Sequence, residues 1–262
     1  MKAREPAVVV REIESSEDFH ETVNVAKAAW GFSERSLSPA GDLIAITHAG
    51  GLTAGAFSGK KMLGFVHGIP RTNRGQACQH SHLLAVRPEF QGRGISVLLK
   101  LFQRSWCLER NIRLVTWTYD PFLIKNARLN LMRLRGTVGA FLPNFYGPMG
   151  GMYGDLPTDR FEVTWRLDDP LVDRAAAGTP LTSGSEAEPR PPRAVPGKTP
   201  SSSRVSLAFP PGAPGIYRTD PVGARRARTR FGRLASGLFA RGFEATGVQV
   251  RAGEPYYVLD RR

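Results

Sequence analysis

Short runs of apolar and polar positions alternate along the chain and mark its elements. Val8–Ile13 predicts a strand. Ser15 and Ser16 suit the cap of a helix through Trp30, which lines up Phe19, Val23, Ala26 and Trp30. A short helix is expected over Ser38–His48. Leu52–Phe57 and Met62–Ile69 flank Ser58-Gly59-Lys60-Lys61, the pattern of a hairpin. His80–Val86 reads as a strand and Gln91–Ser96 as a glycine-rich turn. A helix then runs to about Arg110, with Ile95, Leu98, Leu99, Phe102 and Trp106 at helical spacing. Leu114–Tyr119 is the next strand, and Pro121 opens a helix to about Leu134. The pattern is mixed α/β with an antiparallel opening half.

Periodicity then stops. Residues 170–204 are rich in Pro, Ser, Ala and Gly, and read as a flexible linker between a core over 1–169 and an extension over 205–262. The extension predicts a strand at Val205–Phe209, a helix from Asp220-Pro221 to a stop at Gly242, and a hairpin of Phe243–Val250 with Tyr256–Leu259. Ala227, Phe231, Leu234 and Leu238 form the apolar face of that helix. Arg225, Arg226, Arg230 and Arg233 lie opposite. So small a piece is expected to pack on the core as a β-α-β-β extension.

Charge sharpens the picture of partners. The 262 residues carry a net charge of +13, and the last 59 hold 11 arginines against 4 acids. A basic balance favours anionic partners. The arginine helix has no interleaved stacking aromatics and no helix-turn-helix or zinc pattern, so nucleic acid is the disfavoured partner and an exposed face of a docked helix the simpler reading. Two cysteines, Cys78 and Cys107, exclude a disulfide framework and read as small buried residues. The five histidines show no metal spacing, so no metal is expected. No apolar run reaches the roughly 18 residues of a membrane span, and the apolar run near the N-terminus is too short for a signal peptide. A soluble cytoplasmic protein is the expectation.

The chemistry concentrates in HSHLLAVRPEFQGRGISVLLKLF, residues 80–102. A strand enters Gln91-Gly92-Arg93-Gly94-Ile95-Ser96, and a helix leaves it. Glycines there let several backbone N–H groups converge at a helix N-terminus, a geometry suited to phosphate or pyrophosphate, with Arg87 and Arg93 adding charge. Walker and Rossmann patterns are absent. Glycine spacing alone leaves a plain strand–helix turn open. The stretch resembles the GNAT superfamily of acyl-CoA-dependent acyltransferases, whose signature is Gln or Arg, two residues, Gly, one residue, then Gly or Ala. Gln91, Gly94 and Ser96 occupy those positions, Ser96 being a mild departure. HSHLLAV, WTYDP, NARLNLMRL, PNFYG, LPTDRFEVTW, GFEATG and YYVL further resemble a branch of larger predicted bacterial acetyltransferases.

The resemblance implies a GNAT fold, a mixed, mostly antiparallel sheet flanked by helices and splayed near its centre. It implies acetyl-CoA or another acyl-CoA as cofactor, succinyl-CoA included, and a small amine as acceptor, an amino acid among the candidates. Gln91, Gly92, Arg93, Gly94, Ile95 and Ser96 would hold the pyrophosphate. Leu84, Ala85 and Val86 would pair with the pantetheine arm, and Asn126 would lie near it. Asn126, Asn130 and Arg133 share a helical stripe, opposite Ile124, Leu131 and Leu134. Direct transfer needs a base for the amine and a proton or charge for the departing thiolate. His82, with His80 second, is the candidate base, since the two sit at i and i+2 on a strand that borders the acyl site in the family. The tyrosine acid of many GNAT enzymes is replaced by Arg133, so Tyr146 or Tyr119 is the candidate acid. Trp117, Tyr119 and Arg160 are candidate substrate contacts, and Arg160 suits a carboxylate. A surface ion pair of Asp159 with Arg160 is the plainer reading of that residue. Arg133 also motivates an alternative: a CoA-binding regulatory module that has lost catalysis.

Overall fold

Ser15 is extended, and its Oγ accepts from the Asp18 amide at 3.1 Å, so the first helix begins at the cap its sequence offers. In the computed structural model, residues 7–32, 36–147, 149, 156–178, 190–210 and 220–261 are described. The chain forms two compact units, one built from Met1–Trp117 and the other from Thr118–Pro148 and Tyr153–Arg262.

The first unit holds β1 (Val8–Glu12), α1 (Ser16–Trp30), α2 (Ala40–His48), β2 (Leu52–Ser58), β3 (Lys61–Asn73), β4 (Gln76–Val86), α3 (Ile95–Glu109) and most of β5 (Leu114–Tyr119). Its strands lie in the order β1-β2-β3-β4-β5. The first three pairings are antiparallel, while β4 meets β5 in parallel. β2 and most of β3 are buried on both faces, as expected for strands covered by helices on either side. The β3–β4 hairpin is longer than its apolar run indicates: it continues through Pro70, which pairs with Gln79, to a tight turn where Arg74 and Gly75 both take positive φ.

The second unit holds α4 (Ile124–Ala127), β6 (Thr137–Leu142), β7 (Arg160–Arg166), α5 (Pro170–Ala176), β8 (Arg204–Ala208), α6 (Pro221–Phe239), β9 (Phe243–Arg251) and β10 (Glu254–Arg261). The strand order is β7-β6-β9-β10-β8, with antiparallel pairing of β6 with β7, β6 with β9, β9 with β10 and β10 with β8. The β-α-β-β tail therefore extends the β6–β7 sheet. α6 packs over it closely: a Cβ on Gly232 would lie 2.5 Å from the Phe141 ring.

Three local readings change. Pro170–Ala176 is a helix within the stretch read as linker, because Asp169 accepts from the Leu171 amide and Pro170 sits in the first turn. Arg193 also bridges Ser206 further along it. After α4, residues Arg128–Arg133 widen into a π turn, closed by the Leu134 amide on the Leu129 carbonyl at 2.9 Å. That wider turn rotates the side chains and breaks the expected stripe, so Asn130 is buried while Arg133 is exposed. In α6 the inner face holds Ala224, Arg228, Phe231, Ala235 and Leu238, one arginine more than the apolar pattern implies.

Candidate functional site

β4 builds the first part of the site. It pairs with β3 throughout, but with β5 only at Gln79↔Val115 and His80↔Thr116. Beyond those pairs the other edge of β4, from Ser81 to Val86, has no strand partner among the pairings of this unit, and it includes Leu84, Ala85 and Val86. A bulge falls at His82, where the register passes from Leu83↔His67 to Ser81↔Gly68.

The turn after β4 is open at the helix end. Gly92 and Gly94 take φ of 79° and 82°, a region that favours glycine, and a Cβ at either would meet nothing within 4 Å. Gly94 caps α3 without any side-chain hydrogen bond. Among the described residues, the amides of Gly92, Gly94, Ile95 and Ser96 have no backbone acceptor. They leave a set of unsatisfied donors at the positive end of a 15-residue helix. Gln91 ties the turn to the strand, its Nε2 donating to the Val86 carbonyl at 3.1 Å. Arg93 is exposed, its guanidinium 5.3 Å from the Phe90 ring. Arg87 serves the fold instead of adding charge to the turn: it pairs with Glu21 and donates from Nε to the Met62 carbonyl.

Three histidines form a row beside the unpaired strand edge. His82 lies 6.2 Å from His80 and 6.4 Å from His67, ring centre to ring centre. Burial lowers all three pKa values. His67 falls to about 4, with His82 adding repulsion. His80 also falls to about 4, with His82, Arg71 and Lys100 adding theirs. His82 is lowered by burial. Neutral imidazoles at neutral pH follow, each able to accept a proton. His80 Nδ1 is 3.4 Å from Thr116 Oγ1. His67 was not anticipated. Its Nδ1 is 2.8 Å from Thr53 Oγ1, its Nε2 has no partner, and it is fully buried.

On α3, Lys100 and Gln103 are buried, whereas Leu98 is exposed, so the inner face is rotated from the one its apolar spacing indicates. Lys100 Nζ donates to Ser81 Oγ at 3.0 Å and to Gln103 Oε1 at 2.8 Å, and stands 3.6 Å from the centre of the Trp117 ring. Gln103 reaches Gln79, whose side chain crosses Gly68 so closely that a Cβ there would lie 2.3 Å away. Trp117 is therefore a wall of this polar cluster. The same cluster holds Cys107 beside Gln79, and burial raises the Cys107 thiol to about 12. A lysine and a glutamine three apart, in helical phase with Ile95, Leu99 and Trp106, were the only sequence signal.

The second unit carries the remaining candidates. Tyr146 is exposed, its hydroxyl 3.2 Å from Thr118 Oγ1, with the Arg160 guanidinium 5.2 Å from its ring. Thr158 holds this loop, with hydrogen bonds to Asn144, Tyr146 and Gly147. Asn126 is half-buried, and its side chain makes no hydrogen bond among the described residues. Tyr119 lies in the core, donating to Tyr257 at 3.4 Å, and burial raises its pKa. Its hydroxyl is thus engaged internally. Arg160 is buried, donating to the Asp159 carbonyl, while the Asp159 carboxylate pairs with Arg228. Both residues are buried, so the reading of Asp159 and Arg160 as a surface pair is corrected.

Among the described residues, no cluster of His, Cys, Asp or Glu fits a metal ion and no helix is long and apolar enough to cross a membrane. No protein-family model matches the chain, and no curated protein matches it in sequence. Solved structures do. A protein assigned to the GNAT acetyltransferases from Desulfovibrio desulfuricans matches at 18% identity over 62% of this chain and 99% of its own, with a TM-score of 0.50. An acetyltransferase structure from Salmonella typhimurium with its cofactor acetyl-CoA matches at 16% identity, covering 62% and 95%, with a TM-score of 0.51. A ribosomal-protein-S5-alanine acetyltransferase from Vibrio fischeri matches at 18% identity, covering 62% and 94%, at 0.50. At such identity the agreement is one of architecture, and the chain has the GNAT fold.

Proposed function

We propose that the protein is an acyl-CoA-dependent N-acyltransferase that moves an acetyl group, or a succinyl group, to a small amine such as an amino acid. One observation carries the reading: among the described residues, an unpaired strand edge runs into a helix end that has no side-chain cap and whose amides have no backbone acceptor. Such an edge suits the amide-bearing pantetheine arm, and such a helix end suits a pyrophosphate. One of the structural neighbours carries acetyl-CoA as its cofactor.

Acyl-CoA supplies the activated thioester. In this reading Gln91, Gly92, Arg93, Gly94, Ile95 and Ser96 hold its pyrophosphate, and Leu84, Ala85 and Val86 hold its arm, with Asn126 the further candidate contact. His82, neutral at working pH, accepts a proton from the attacking amine directly or through water. His80 is the weaker base, being the more acidic imidazolium. Tyr146 is the remaining candidate acid for the thiolate, and Arg160 the candidate partner for an acceptor or succinyl carboxylate. The exposed Arg133, in place of the family's tyrosine, favours a second reading in which CoA binds without turnover.

Thermal unfolding with acetyl-CoA, succinyl-CoA and free CoA tests the cofactor. A ligand at about a hundred times its Kd stabilises a fold by about 2.7 kcal/mol. A clear rise in Tm is the expected result, and no rise with any of the three ends the proposal. Acceptor-dependent release of free CoA then separates enzyme from binding module. In His82→Gln, kcat/KM should fall by about 100-fold while the Tm shift with CoA persists.

A further inference from the structure

A groove of about 960 Å3 runs along α6 in the second unit, with the Ala194–Pro200 stretch as its other wall. Four arginines of the helix line it, Arg225, Arg226, Arg230 and Arg233, with Arg241 just past its end, and Lys198 faces them from the opposite wall. Among the described residues, no acidic side chain lines it. Arg226, Arg230 and Arg233 are exposed and form no ion pair among the described residues. Between the cations the lining is aliphatic, with Val222, Leu234 and Leu238 on the helix and Val195 opposite. Val222 is 64% exposed.

The helix bears this arrangement at a disadvantage to itself. Arg226 and Arg230 stand four apart, and Arg230 and Arg233 three apart, so like charges oppose each other along one face. The N-terminus of the helix has its own acid, the Asp220 cap that accepts from the Gly223 amide, so the repulsion between the arginines is what stays unrelieved. A bound polyanion relieves it. From Arg225 to Arg241 the row spans ~24 Å, which ~7 residues of extended peptide cover. The aliphatic lining asks for apolar side chains between the anionic ones. Among the described residues, no aromatic side chain lines the groove to offer a stacking surface for bases.

We infer that this groove is a docking site for an acidic, leucine-rich type of segment on a partner protein, its carboxylates on the arginines and its aliphatic side chains on Val222, Leu234 and Val195. The inference is independent of the acyltransferase reading, since it uses none of the residues placed there.

Fluorescence anisotropy of the full chain with a short labelled peptide alternating glutamate and leucine tests it. The expected result is saturable binding that weakens at least tenfold in the triple variant Arg226→Glu, Arg230→Glu, Arg233→Glu, in line with loss of charge-assisted contacts. A charge-matched control, Arg74→Glu, Arg113→Glu, Arg251→Glu, should bind as the parent does, since these exposed arginines lie outside the groove. Both variants should keep the parent Tm. A peptide with glutamine for glutamate should bind at least tenfold more weakly than its acidic counterpart. Equal loss in both variants, equal binding of the glutamine peptide, or no binding at all overturns the proposal. Tighter binding of oligothymidylate, or of phosphatidylserine vesicles, through the same three arginines overturns the peptide as occupant.

Discussion

Lys100 and Arg228 are each 1% exposed, each on the inner face of a helix, and each lies against an aromatic ring. Their surroundings differ. Arg228, on α6, meets Asp120 at 3.2 Å, Asp159 at 3.6 Å and the Pro157 carbonyl at 3.2 Å. Lys100, on α3, meets a hydroxyl, an amide oxygen and an indole face. The difference follows from chemistry. Arginine keeps its proton at any pH a protein experiences, so Arg228 is buried as a cation, and the two carboxylates offset the cost. Lysine relieves the cost of burial by giving its proton up, and burial lowers Lys100 to about 7. One cluster is a fixed ion network, the other a titratable one.

The largest test strikes the fixed network. Arg228→Met should cost about 3–5 kcal/mol, because Asp120 and Asp159 remain buried without their cation. Burial already raises Asp159, against the opposing pull of the Asn144 amide and Arg228. Without Arg228 its carboxyl rises further above the unfolded value. A carboxyl raised in the folded state destabilises fully above its folded pKa, and this cost is lost as pH falls from the folded value to the unfolded one, so the deficit should shrink toward acid pH. Urea unfolding at neutral and acidic pH measures this. A loss below about 1 kcal/mol at neutral pH would show the network to be energetically idle.

The second test strikes the titratable network, and the sign reverses. Lys100→Met should be neutral or stabilising at pH 6, by up to about 4 kcal/mol, since it removes a buried cation while keeping the volume. The folded pKa near 7 lies below the unfolded value of about 10.4, so between them the unfolded chain alone holds the proton and parent stability rises with pH. The advantage of the variant is therefore full below pH 7 and fades above it. Denaturation of both proteins from pH 6 to 10 reads the difference directly. A pH-independent gap would mean that Lys100 keeps its charge in the fold.

Neither inward turn was evident from residue type. Lys100 and Gln103 interrupt an apolar face, and period alone reads such residues as its solvated margin. Arg228 sits in a helix of arginines, and what selects it is a pair of aspartates distant in sequence. The elements that local chemistry dictates are another matter. The strand into Gln91–Ser96, α3 after Gly94, the cap at Ser15 and the stop at Gly242 are all written in short-range rules. β7 carried its own unused signal, since Phe161, Val163 and Trp165 are buried at strict alternation. The π turn after α4 has no comparable mark, and it alone undid the stripe of Asn126, Asn130 and Arg133. At the site, the turn and strand edge follow from sequence order, whereas His67 enters only through the pairing of β3 with β4.

The smallest test probes how the titratable cluster sets its own pKa. Ser81 Oγ accepts from Lys100 Nζ and donates to Gln103 Oε1, so it serves the charged lysine more than the neutral one. Ser81→Ala removes one acceptor from the ammonium and leaves the indole face and Gln103 in place. The stability loss should be about 1 kcal/mol, the usual net worth of a buried hydrogen bond. The more telling change is in pH. With less help for the charged form, the folded pKa of Lys100 falls below 7, and the rise of stability with pH begins earlier. An onset moved upward would mean that water enters the space left by the hydroxyl and serves the ammonium better than serine does, which would make the cluster a solvated one despite its burial.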